Sequence, residues 1–176
     1  MNVPTPNGIE LELWKLLVSI TLPLVLFILQ RAYQNYDQNR ERRRKLYAQA
    51  YAVCMDYKEF PYIIYRRGSS DPEVERLRIS TELRHIQKDI AYHLAWTKTE
   101  SDNVYEAYSA LVKRTRQVAG GEMIKAWNAK PIKSDKEMNM ATKIDWKDLK
   151  DYEEHFIDAA KHELDSFWKR LSSKTG

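Results

Sequence analysis

From Leu16 to Gln30 the chain reads "LLVSITLPLVLFILQ", fifteen residues without a charge. Beyond Lys45 apolar residues recur at three- and four-residue spacings. The first pattern is that of a membrane span and the second that of amphipathic helices. Fifteen residues are fewer than the roughly 20 that cross a bilayer. The flanks supply the rest, with Leu11, Leu13 and Trp14 on one side and Ala32 and Tyr33 on the other. Lys15 can carry its ammonium to the headgroups on its long stem. Trp14 and Tyr33 lie 19 residues apart, roughly 28 Å at the helical rise. That matches a hydrocarbon layer of about 30 Å with an aromatic at each boundary. Trp14, Lys15, Tyr33 and Tyr36 are therefore the expected membrane-interface residues. Pro23, in mid-span, removes one backbone hydrogen bond and is expected to kink the helix. With Ser19 and Thr21 nearby, it also suggests a notch for a partner membrane helix. Asn7, with Glu10 three residues on, resembles a capping box that starts this helix.

Past the span, Leu46, Tyr47, Ala50, Val53, Cys54 and Tyr57 form one apolar face. They predict a helix continuing out of the membrane to about Lys58. Pro61 is expected to end it, and Gly68, Ser69 and Ser70 to form a loop. The only strand-like stretch is "YIIY", Tyr62 to Tyr65, expected to pack on the bundle or to dip into the membrane interface. Asp71, Pro72, Glu73 and Glu75 mark the start of a second helix. Its stripe is Ile79, Leu83, Ile86, Ile90 and Leu94. A third helix is predicted from a capping box at Asn103 and Glu106, weakened at Gly120 and Gly121. Residues 131–144 read as a loop. A last helix, from Asp145 to about Ser172, carries Leu149, Tyr152, Phe156, Ala160, Leu164, Phe167 and Leu171 on one side.

Such stripes must bury one another, in a bundle or with coiled-coil-like packing. The expected fold is all-α: one N-terminal transmembrane helix continuing into a small cytoplasmic antiparallel bundle of three to four helices. Residues 1–10 would be a short extracytoplasmic tail and 11–33 the span. Residues 34–60 would hold the juxtamembrane basic segment and first bundle helix, and 61–176 the remainder.

Charge sets the expected orientation. Residues 1–30 carry net −1, whereas 31–45 carry net +4 from Arg31, Arg40, Arg42, Arg43, Arg44 and Lys45 against two acids. The other 131 residues hold 22 basic and 21 acidic side chains, which leaves no nucleic-acid footprint. The positive-inside rule puts the N-terminus outside and the C-terminal domain in the cytoplasm. A bacterial inner membrane or a mitochondrial inner membrane suits this layout. The basic collar would fix topology and meet anionic lipid headgroups at about 1 kcal/mol per cation. A cleaved signal peptide fits poorly, because the leading flank is acidic and no small-x-small site follows. The single cysteine, Cys54, excludes an internal disulfide and suits a reducing compartment.

Candidate chemistry is sparse. Glu82 and His85 have the Glu-x-x-His spacing of di-metal bundles, but there is no second copy and His85 points away from the Ile79–Leu94 stripe. His155 and His162, two turns apart with Asp158 between them, are expected to face water. His93 sits at the edge of its stripe, and Cys54 on an apolar face. No phosphate loop, nucleophile elbow or zinc-ligand pattern occurs. Trp127, Trp146 and Trp168, with Tyr105 and Tyr108, are expected in the core or at its rim, or as a recognition surface. The chain therefore reads as a single-pass interaction or scaffold protein, not an enzyme, without a cofactor. Its expected partners are the bilayer and a protein or a second copy. The alternatives are a self-associating membrane effector working through the span and an enzyme whose site the pattern hides.

Overall fold

The computed structural model describes residues 6–137 and 143–165. Four helices follow in order: α1 (Pro6–Tyr65), α2 (Pro72–Glu100), α3 (Asp102–Asn128) and α4 (Lys147–Leu164). A short 3-10 turn lies at Asp135–Glu137. Among the described residues there is no β-strand, only an isolated bridge between Gly68 and Ile132. Contacts divide the chain into two compact units, residues 1–42 and 43–176.

The first unit is the leading part of α1. Every described side chain from Leu13 to Arg42 is exposed. The apolar stretch beginning at Leu13 is long and apolar enough to cross a membrane, and none of it is covered by protein. Helix is already present at Pro6, so Asn7 lies within the helix and not before it. The hydroxyls of Ser19 and Thr21 donate to the carbonyls of Leu16 and Leu17, each at 2.8 Å. Folding back onto the helix in this way lets a hydroxyl enter hydrocarbon without an unpaired donor.

The second unit is the bundle. Short connections make successive helices antiparallel neighbours. The pairings agree: Arg43 reaches Glu163, and Lys58 reaches Glu153 at 2.7 Å, so α4 runs against α1. The main core gathers Ala50, Cys54, Val104, Tyr108, Leu111 and Phe156 from three helices. Tyr108 donates its hydroxyl to the Ala50 carbonyl at 2.9 Å. A smaller core joins Phe60, Ile64, Ile79 and Ala126.

Four boundaries depart from expectation. Pro61 does not end α1; the helix runs through "YIIY" to Tyr65. A mid-helix proline costs roughly 3 kcal/mol. Burying Phe60 and Ile64, with Pro61 itself fully buried, returns about 1.5–3 kcal/mol for each large side chain. The α2 start is as expected, with the Asp71 carboxylate accepting from the Val74 amide at 3.1 Å. The cap of α3, however, is Ser101, whose hydroxyl accepts from the Val104 amide, and not Asn103. α4 begins at Lys147 rather than Asp145. Its predicted extension through Phe167 and Leu171 lies outside the described residues, as does Trp168. Finally, α3 is unbroken at Gly120 and Gly121. A β-carbon at either would meet nothing within 4 Å. Gly121→Ala should therefore raise stability by about 0.5–1 kcal/mol, read as a higher urea midpoint for the full chain in mild detergent.

Candidate functional site

α1 and α2 leave a surface groove of about 730 Å³ between them. Opposite directions of the two helices set its ends. Near the loop joining them, Ile63 of α1 faces Val74 and Leu77 of α2. Val74 and Leu77 are 61% and 67% exposed, whereas Ile79 and Ile90 of the same helix are buried. Toward the opposite end lie Asp56 and Glu59 of α1 with His85 and Asp89 of α2, and Ile86 forms part of the floor. The groove is thus apolar at one end and acidic at the other. Its one arginine, Arg78, is already engaged by Glu75 at 2.8 Å and Glu82 at 3.1 Å. Asp56, Glu59 and Asp89 form no ion pair among the described residues. Val74 and Leu77 were not anticipated; their signal in the sequence is two apolar residues three apart, off the main stripe.

The expected membrane-interface residues Trp14, Lys15, Tyr33 and Tyr36 are all exposed on α1. Pro23 lies within continuous helix, beside a notch of about 460 Å³ lined by Trp14, Val18, Ser19 and Leu22. In the basic collar, Arg31, Arg40, Arg42, Arg44 and Lys45 are exposed. Arg43 instead turns into the bundle, donating to Glu100 at 3.1 Å and Glu163 at 3.2 Å. Beside it the Tyr47 hydroxyl is buried, with no hydrogen-bond partner among the described residues. Burial first, then the Glu163 carboxylate, pushes its pKa up to about 12.

The remaining titratable residues bring no ligand set together. Among the described residues, no group of three or more His, Cys, Asp or Glu is placed to hold a metal ion. His85, His155 and His162 are exposed, and Glu82 is held by Arg78. Cys54 is fully buried beside the Thr115 hydroxyl at 3.4 Å. Burial pushes its thiol up to about 11, leaving almost no thiolate at neutral pH. Tyr108 is core, Trp127 is 43% exposed, and Tyr105 and Trp146 are half-buried.

His93 is only 6% exposed, and its Nδ1 has no hydrogen-bond partner among the described residues. Burial lowers its pKa below the ordinary 6.5, with Asp89 opposing weakly. The folded chain therefore holds His93 neutral, while the unfolded chain takes a proton near pH 6.5. Its contribution to stability is present above that pH and is lost as pH falls through it. Between pH 7.5 and 5.5 the full chain should lose stability, at no more than about 1.4 kcal/mol per pH unit from this one group. His93→Gln should flatten the dependence. An equal slope in the variant, in urea titrations at both pH values, would reject this role.

Fold and groove together define a four-helix bundle preceded by a candidate membrane span. No family model, curated protein or solved structure matches the chain.

Proposed function

We propose that this is a single-pass, membrane-tethered interaction module without catalytic activity, which holds a helical bundle at the cytoplasmic face of the inner membrane. The open groove between α1 and α2 carries the proposal: large aliphatic side chains stand exposed there beside Asp56, Glu59 and Asp89, which form no ion pair among the described residues. Exposed apolar surface rimmed by charge is the usual mark of a protein-binding face. The charge step from net −1 to net +4 across the span supports an outside N-terminus. Anionic lipid headgroups would meet the exposed Arg40, Arg42, Arg44 and Lys45. Photo-crosslinking the full chain in its native membrane is expected to capture one dominant protein. A monomer free of crosslinks in intact membranes would reject the module. Protease protection of a C-terminal tag in spheroplasts checks the orientation.

The notch at Pro23 favours a second reading, a membrane effector that self-associates through its span. Pro23 has no N–H to offer the Ser19 carbonyl, and both residues line the notch. Overexpression would then depolarise the membrane, and Pro23→Leu or removal of the span would abolish the effect. An unchanged potential with the native chain rejects it.

A further inference from the structure

We infer that the α1/α2 groove docks a helix of a partner protein in which an aliphatic half is followed or preceded by a basic half. The inference rests on the interaction-module reading and names the chemistry of its partner. From Val74 to Asp89 the α2 wall spans sixteen residues, roughly 22 Å between its ends at the helical rise, or about four turns. A helix laid along it would meet Ile63, Val74 and Leu77 with two of its turns. Its other two turns would meet Asp56, Glu59 and Asp89. The apolar end rewards leucine-like side chains at helical spacing, the helix-in-groove mode of recognition. The acidic end rewards lysine or arginine, because among the described residues no cation pairs with Asp56, Glu59 or Asp89 and Arg78 is already held by Glu75 and Glu82.

The same charges disfavour the other occupants. An anionic lipid surface would be repelled by Asp56, Glu59 and Asp89. A second copy pairing groove to groove would set carboxylates against carboxylates. A second copy's collar, residues 34–45, carries cations but no aliphatic residue to fill the apolar end.

The test uses the full chain in zwitterionic phosphatidylcholine nanodiscs and a labelled 18-residue synthetic helix, with leucines in its first two turns and lysines in its last two. Fluorescence anisotropy should show saturable binding. Replacing the lysines by glutamates should weaken it at least about tenfold, as should Leu77→Glu in the protein. The double variant Glu59→Lys, Asp89→Lys should reverse the preference, binding the glutamate helix more tightly than the lysine helix. All three positions are exposed, and unchanged circular dichroism would confirm that the bundle persists. No saturable binding, binding indifferent to peptide charge, or no reversal in the double variant overturns the inference. So does a doubled particle mass that Leu77→Glu returns to monomer, since a second copy then fills the groove. A partner crosslinked in native membranes through another face would also overturn it, while leaving the interaction module standing. Absence of any native partner would instead remove the module itself.

Discussion

Arg67→Ala should destabilise the bundle by about 3–5 kcal/mol, because it leaves several main-chain carbonyls without their donor, each such loss costing about 1–3 kcal/mol when buried. Arg67 is only 8% exposed, and among the described residues no carboxylate pairs with it. Its guanidinium is satisfied by main-chain carbonyls alone. Nη1 donates to Ile64 at 3.0 Å and to Ala126 at 2.7 Å. Nη2 donates to Trp127 at 2.9 Å and also to Ala129. These carbonyls belong to the last turns of α1 and α3 and to the residue that follows α3. There intrahelical donors run out and the helix dipole is negative. The cation also lies 4.9 Å from the centre of the Trp127 ring. Flanking it, the Ile132 amide donates to the Arg67 carbonyl and the Ser69 amide to the Ile132 carbonyl, each at 3.0 Å. The side chain of Arg67 thus ties two helix ends, and its main chain helps tie the loops that follow them. Arg67→Lys keeps the charge but not the planar fork and should fall between wild type and alanine. The measurement is the urea midpoint of the full chain in mild detergent. A lysine variant as stable as wild type would show that charge alone suffices.

Phe156→Ala should cost a similar amount, about 3–5 kcal/mol, for a different reason. Phe156 is 2% exposed. Its ring stacks on Tyr51 of α1 at 6.2 Å between centroids and meets Tyr108 of α3 at 5.3 Å. It is the largest side chain that α4 buries, so its removal opens a void where three helices meet. Its neighbour Ile157, 37% exposed, should lose less than about 1 kcal/mol on the same truncation. Thermal melts followed by circular dichroism compare the two. Equal losses would mean that α4 contributes little to the core.

The helix count and the buried faces were legible because burial follows periodicity. Leu46, Tyr47, Ala50, Cys54 and Tyr57 are buried as their spacing requires, and Asp71 caps α2 as its residue type favours. What was not legible depends on contacts distant in sequence. Pro61 stays helical because Phe60 and Ile64 are held by Ile79 and Ala126, which local propensity does not register. Gly120 and Gly121 stay helical because α3 is packed along its length. Arg67 shows no signal in the sequence, since a cation after a helix becomes a clamp only when another helix ends beside it. Of the groove, Val74 and Leu77 were missed, because two apolar residues three apart are too short a row to stand out beside the main stripe. Its acidic end was missed too, because Asp56 and Glu59 meet Asp89 only once α2 turns back along α1.

α1 supplies the first wall of the bundle and α4 the last, which matters during synthesis. Translation at about 5–20 residues per second separates the emergence of Ala50 and Cys54 from that of Phe156 by on the order of 5–20 s. For that interval the inward face of α1 is a nascent amphipathic surface whose final cover does not yet exist. A chaperone able to shield it while the ribosome completes α4 would raise the yield of folded protein, and slowing translation within α2 and α3 would lower it.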